Sequence, residues 1–339
     1  MNMHEILRQD PEIWDLFSCK EVYSMPLRDQ FGRVPYYTSQ NRDIFKPRTS
    51  QYLADHGYTI DYPDNANFAV CLTHDIDVVY SSVFSKCLAA FRELKNSNAT
   101  AAVKFLSQIW SKRIPYCNFS ETMDLEERYG AKSTFFLMAE RQGEQDYTYK
   151  IEALESEIGE ILDRGWEVGL HGGHTTYLDT KEMGLKKARL ERITRKPVLG
   201  YRNHFLRFIV PDTWEQLSQA GFRYDSTFGY ADCAGFRNGM CHPFRPVNLN
   251  TGREIDIMEI PLIIMDQTFD RYMALDARGR WDITRNLIDA TERCHGVITI
   301  LWHNTYMNTT WRTLYEKILQ YCEEKGAWIS SGEEILKIV

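Results

Sequence analysis

Nowhere does the chain approach the roughly 20 consecutive apolar residues that a membrane-crossing helix needs. Its opening, MNMHEILRQDPEIW, carries acids and lacks the apolar stretch of a secretory signal. Positive charge is not in excess: 40 Lys and Arg stand against 47 Asp and Glu, a net charge of −7. Gripping a phosphate backbone needs a basic footprint, so nucleic acid is not an expected partner. The eight cysteines contain no C-x-x-C pair. Scattered thiols without an export signal predict neither a disulfide framework nor a zinc knuckle, and a cytoplasmic setting is expected. G-x-S-x-G, G-x-x-x-x-G-K-[ST] and G-x-G-x-x-G are all absent. The esterase elbow, the P-loop and the dinucleotide fingerprint therefore have no support.

What is present is an ordinary globular composition, 43% apolar and 26% charged over 339 residues. At about 150 residues per domain two units would fit, but an α/β barrel of this length can be one. Residues 1–66 are irregular, with Pro26, Pro35, Pro47 and Pro63, yet hold Trp14, Phe17, Phe31 and Phe45. They are expected to form an arm packed on a main domain covering 67–339.

From Asn67 a rhythm begins. Short apolar runs predict strands buried on both faces: Phe68–Thr73, Ser133–Met138, Trp166–Leu170, Pro197–Tyr201, Phe222–Tyr224, Ile257–Leu262 and Val297–Trp302. Helical periods lie between them, as in Lys150–Arg164, Asp179–Ile193, Pro211–Ala220 and Trp311–Glu324. Five times a helix pattern ends on glycine and an apolar run follows, at Gly130, Gly165, Gly221, Gly296 and Gly326. Glycine accepts the left-handed turn that ends a helix. Repeated helix–Gly–strand units predict a largely parallel α/β sheet, open or closed into a barrel. One connection, 78–115, is far longer than a normal βα loop and carries two helical patterns broken at Asn96-Ser97-Asn98, with Ile109 and Trp110 ending the second. A helical insertion is expected there, serving as extra packing, a lid or an oligomer contact.

In such architectures ligands bind where strands end. The segments following the runs are His74-Asp75-Ile76-Asp77, His171-Gly172-Gly173-His174, Arg202-Asn203-His204, Asp225-Ser226 and His303-Asn304. Each alone has a bland reading as a cap, a turn or a core histidine. Together they suit a divalent metal held by a carboxylate and imidazoles, with a second carboxylate as base and a distant histidine as acid. Nitrogen-rich mixed ligation favours Zn²⁺, with Ni²⁺ or Co²⁺ as alternatives.

These segments resemble the polysaccharide deacetylase superfamily, also called the NodB-homology or carbohydrate esterase family 4 group, over roughly residues 67–339. The resemblance implies a distorted (β/α) barrel and metal-dependent removal of acetyl groups from sugars. Thr73-His74-Asp75-Ile76-Asp77 resembles the first motif, implying Asp75 as general base and Asp77 as metal ligand. His171-Gly172-Gly173-His174-Thr175 resembles the second, implying His171 and His174 as ligands. Arg202 in GYRNHF matches the third motif and Asp225 in RYDST loosely the fourth. His303 in ITILWH matches the last and implies the general acid. The second motif departs from the family: its histidines are three apart where the family has four, and Gly172 replaces Ser or Thr. His204 or His242 stands as an alternative third ligand.

The segments RNHFLRF, DSTFGY, GFRNGM and CHPFRP look like a subgroup associated with surface-polysaccharide synthesis. Arg202, Arg207, Arg237 and Arg245 fall in this region, and arginine suits carboxylate or phosphate recognition. An N-acylated sugar, anionic or nucleotide-linked, is therefore the expected substrate. Asn203, His204, Arg207, Arg237, His242, Arg245 and Asn304 are its candidate contacts. The competing readings are a non-catalytic sugar-binding scaffold on a deacetylase fold, and hydrolysis of a non-sugar amide or imide.

Overall fold

The computed structural model describes residues 2–80, 83–95, 99–107, 118–307 and 310–339. Its strands are β1 (Ala69–Ile76), β2 (Thr134–Met138), β3 (Glu167–Gly172), β4 (Gly200–Asn203), β5 (Tyr224–Asp225), β6 (Val247–Asn248), β7 (Arg253–Glu254), β8 (Met258–Glu259), β9 (Leu262–Met265), β10 (Val297–Leu301) and β11 (Trp328–Ser330). The main sheet runs β8-β5-β4-β3-β2-β1-β10-β9, with β11 also on β1, and every pairing in it is parallel. All residues of β1, β2, β3 and β10 are buried. Burial on both faces is why these strands read as continuous apolar runs and not as alternating ones.

The sheet is a curled one. Its two end strands, β8 and β9, are consecutive stretches of one chain segment separated only by Ile260 and Pro261. The single strand expected over Ile257–Leu262 is thus divided. Proline has no N–H for a ladder, and the chain passes there from pairing with β5 to pairing with β10. That transfer brings the two sheet edges together as a distorted (β/α) barrel.

The helices are α1 (Met3–Leu7), α2 (Pro11–Phe17), α3 (Lys20–Ser24), α4 (Arg48–Asp55), α5 (Val83–Lys95), α6 (Ala99–Ser107), α7 (Phe119–Glu127), α8 (Glu155–Asp163), α9 (Thr180–Thr194), α10 (Asp212–Gln219), α11 (Ala277–Arg293), α12 (Trp311–Glu324) and α13 (Gly332–Ile338). Four of the five junction glycines, Gly130, Gly165, Gly221 and Gly326, have φ of +60 to +83°. At the fifth junction His295 takes the left-handed conformation, with φ 53°. Gly296 is needed there for a different reason, because a Cβ on it would lie 2.3 Å from Cys241 Sγ.

The first 66 residues carry α1–α4 and pack on the barrel. Leu7, Ile44 and Leu53 are fully buried, and Phe17 meets Phe244 edge to face at 5.3 Å. The amides of Thr49 and Ser50 both donate to the Gly239 carbonyl, and Phe236 N–H donates to Ile44 O. In the insertion, α5 packs against α6. The expected break at Asn96-Ser97-Asn98 and the residues Ile109 and Trp110 lie outside the described residues.

Candidate metal centre and catalytic rim

Five strands deliver side chains to one end of the barrel. Asp75 sits near the end of β1, and Asp77 follows that strand by one residue. His171 lies in β3, beside Arg202 of β4 in register. His204 follows β4, Asp266 follows β9, and His303 comes two residues after β10.

Asp77, His171 and His204 each offer one donor atom, and the three atoms lie within 4.8 Å of one another. Among the described residues they are the one such trio of carboxylate, imidazole or thiol donors. His171 Nδ1–H donates to the Arg202 carbonyl at 3.0 Å, which leaves Nε2 as a lone pair facing Asp77 Oδ1 at 3.2 Å and Asp75 Oδ2 at 3.7 Å. His204 places Nε2 3.9 Å from Asp77 Oδ1 and Nδ1 3.3 Å from Asp146 Oδ2. Outer partners of this kind set the tautomer and orientation of a metal-binding imidazole. Asp77 Oδ1 and His171 Nε2 are buried and form no well-aligned hydrogen bond. Leaving such atoms unmatched is costly, and a cation between them would answer both. One carboxylate with two imidazoles fits a catalytic Zn²⁺-type site with an open position. Burial pushes the Asp77 carboxyl up, but the neighbouring His204, His171 and His303 outweigh it and hold the carboxyl below its ordinary range.

Around the trio stand the candidate acid and base. Asp75 is buried, with Oδ1 unpartnered and Arg202 Nη1 3.7 Å away. Arg202 is fully buried and anchored by Nη2 donating to Thr73 Oγ1 at 3.2 Å and Ser226 Oγ at 2.9 Å. His303 Nδ1–H donates to Asp266 Oδ1 at 2.7 Å, and Asp266 Oδ2 accepts the His303 amide at 2.6 Å. His303 Nε2 then faces Asp77 Oδ2 at 3.7 Å. Burial alone would lower the His303 pKa, but the Asp266 charge and hydrogen bond raise it to about 9, with Asp77 and Asp75 adding to the effect.

With this geometry in place, solved structures give a match. One named as a candidate polysaccharide deacetylase from Mycobacterium smegmatis aligns with TM-score 0.55 at 16% identity, over 83% of this chain and 93% of that one. The chain has the polysaccharide-deacetylase fold. Weaker likenesses include a peptidoglycan deacetylase from Bacillus subtilis (TM-score 0.39, 12% identity, 80% of this chain and 91% of that one) and a family 4 carbohydrate esterase from Streptomyces lividans (0.39, 13%, 78% and 92%). Comparison with protein-family models and with curated proteins finds no match.

Within this deacetylase fold several residues stand elsewhere than expected. His174 is outside the donor trio. Its carbonyl accepts from Arg207 Nη1 at 2.6 Å, and its ring packs edge-on against Phe205 at 5.7 Å. His204 fills the third corner because the backbone turns sharply after it, with φ 60° at Phe205 and 54° at Leu206. The arm braces that turn. Phe205 stacks on His204 at 3.9 Å and faces Phe31 at 4.7 Å, while Arg33 Nη1 donates to the Phe205 carbonyl at 2.8 Å. Gly172 also has its reason, since a Cβ there would lie 2.0 Å from the Tyr201 hydroxyl.

Asp225 does not support His303. Its carboxylate accepts Thr227 N–H at 3.0 Å and Thr227 Oγ–H at 2.6 Å, and burial raises the pKa of both Asp225 and its neighbour Glu259. Asp266, which the sequence reading did not single out, is the acid that supports His303. The signal for it was an acid directly after an apolar run, LIIMD. His242 is at the other end of the barrel: Cys241 O receives the amide of Val297, the first residue of β10, and the His242 ring bonds Ser50 at 2.9 Å. His74 points away from the rim to Glu126, 2.7 Å distant.

The four arginines do not converge. Arg245 is bound to Asp256, Arg207 lies over the Tyr177 ring at 4.8 Å, and Arg237 lines a separate cavity. Asn203 spends its amide on His204 O and its side-chain oxygen on the Tyr201 hydroxyl. Asn304 Nδ2 donates to Val78 O, tying two rim loops together.

Proposed function

We propose that the protein is a metal-dependent hydrolase that removes an N-acyl group, such as acetyl, from a sugar. The observation that carries this is the Asp77–His171–His204 trio standing beside Asp75 on one side and the His303–Asp266 pair on the other. Asp77, His171 and His204 would hold the cation, zinc being favoured by two imidazoles and one carboxylate. Such a cation polarises an acyl oxygen and lowers the pKa of water. Asp75 takes the proton of the attacking water. Arg202, locked by Thr73 and Ser226, keeps Asp75 in place. His303 gives a proton from Nε2 to the departing amine, which leaves poorly as an anion, and Asp266 holds that imidazolium in register.

The inferred setting is surface-polysaccharide synthesis in the cytoplasm, supported by the likeness of the RNHFLRF and DSTFGY segments. No helix among the described residues is long and apolar enough to cross a membrane. The anionic or nucleotide-linked substrate expected from the arginines loses its support at this centre. A cavity of about 460 Å³ reaches Asp146 beside His204 and is lined by Glu140, Glu144, Asp179 and Glu182 against only Arg141 and Lys186. It favours an uncharged or amine-bearing sugar.

The test is acetate release from N-acetylated hexosamines and their oligomers. Asp75→Asn keeps size and shape but removes the base, so turnover should fall by about 10²–10⁴-fold with metal content unchanged. Equal turnover in Asp75→Asn and wild type would reject the assigned base. Full activity in rigorously metal-free protein would reject the reaction class.

A further inference from the structure

Arg237 is a buried cation without a counter-ion. It is 7% exposed, and none of the described carboxylates lies within salt-bridge distance of it. Nη1 donates to the Gly229 carbonyl at 3.1 Å, and the guanidinium lies over Phe228 at 4.2 Å and Tyr230 at 4.9 Å. Nε is unpartnered. A buried charge is normally paired, because desolvation otherwise goes unrepaid.

The same cavity holds a second anomaly. Both side-chain atoms of Asn41, Nδ2 and Oδ1, are buried and unpartnered, as is Asn238 Oδ1. Native proteins leave few such groups unmatched, and here three residues line one space of about 610 Å³. That volume lies in the range of small-molecule sites. Two of the three acids lining the cavity are ion-paired, and the third, Glu21, is turned to neutral donors and lies beyond salt-bridge distance of Arg237. Glu21 accepts from Ser39 Oγ at 2.5 Å and from Gln40 N at 2.8 Å, Asp15 pairs with Lys20, and Glu12 pairs with Arg48.

We propose that this cavity, between the arm and the barrel, binds a small hydroxylated anion, a sugar acid or a sugar phosphate. The Nε edge of Arg237 would take the oxyanion, since a guanidinium edge matches a carboxylate or phosphate in two parallel bonds. Asn41 Nδ2 donates to a ligand oxygen, while Asn41 Oδ1 and Asn238 Oδ1 accept from ligand hydroxyls. Asn41 belongs to the arm, and Arg237 and Asn238 to the segment after β5. A ligand here therefore ties the arm to the barrel and stabilises the docked arrangement by mass action. The site is separate from the metal centre, so the proposal stands whether or not the chain is a deacetylase.

The experiment is calorimetric titration of the whole chain with glucuronate, glucose 6-phosphate and glucose. At least one anion should bind, and which one tells carboxylate from phosphate; glucose should not bind. Arg237→Gln should weaken binding by about 10–100-fold, the scale of a lost charge-assisted hydrogen bond. Asn41→Ala should weaken it too, and its side chain makes no hydrogen bond whose loss could unfold the protein. His171→Ala, at the metal centre, should bind as wild type does. Failure of both anions to bind wild type, or undiminished binding in Asn41→Ala and Arg237→Gln, would overturn the proposal.

Discussion

At the scale of single residues the centre is decided by which imidazole nitrogen is left bare. His171 uses Nδ1 on a backbone carbonyl, so Nε2 faces Asp77; His204 turns Nε2 the same way with Asp146 behind it. His204→Ala should therefore lose stoichiometric zinc, read by metal analysis after gel filtration, whereas His174→Ala should keep it. The reverse pattern would return the third ligand to the H-x-x-H segment. Asp266 makes a second prediction at this scale. With both oxygens on His303, it fixes the ring and favours its charged form. Asp266→Asn should lower turnover by about 10²-fold or more while leaving metal content intact. A variant as active as wild type would show that His303 needs no such support.

At the scale of elements, the short turn that carries His204 after β4 continues in a conformation that costs non-glycine residues about 1–2 kcal/mol each. Phe205 and Leu206 both have positive φ. The arm braces the turn at Phe205, where Phe31 stacks on its ring and Arg33, paired with Asp29, bonds its carbonyl. Phe31→Ala should then weaken zinc binding by about 10–100-fold, the effect usual for outer partners of a metal ligand. Phe31→Tyr should restore it. A competition titration with a chelating dye would measure both, and unchanged affinity in Phe31→Ala would leave the arm with packing alone to do.

For the whole molecule the telling group is at the opposite end of β3 from His171. Glu167 opens β3 and joins four parts of the barrel base. Its carboxyl accepts from Thr134 of β2, Tyr224 of β5 and the amide of Glu333 at the start of α13. Burial raises its pKa to about 7, outweighing those donors. Because the folded value lies above the ordinary 4.5, folding takes up a proton. The contribution is fully present below about pH 4.5 and is lost as pH rises toward 7, by about 3 kcal/mol. Urea unfolding at pH 5 and pH 8 should show a loss of stability larger in wild type than in Glu167→Gln by about this amount, the buried Asp225, Glu259 and His303 contributing equally to both. Equal pH slopes in the two proteins would remove Glu167 as its source.

Seven apolar strand runs, a largely parallel sheet and the rim residues Asp75, Asp77, His171, Arg202 and His303 were legible in the chain itself. A parallel strand buried on both faces must be an unbroken apolar run. The polar segment that follows such a run lies at the rim, which is how Asp75, Asp77, His171 and His303 stood out, although His74 in the same segment turns inward to Glu126. Other features depended on the path of the chain through space. Pro261 splits one apolar run between two pairings, so the end of the strand moved to Met265 and Asp266 went unnoticed. After β5 the chain leaves the rim and crosses to the far end of the barrel, carrying His242 away with it. Whether His174 or His204 completed the trio rested on a turn with two left-handed residues, the first of them stacked on Phe31 more than 170 positions earlier in sequence. Periodicity reports which face of an element is buried, because that is a local property. The meeting of distant side chains is set by packing, and only the folded barrel with its arm in place decided it.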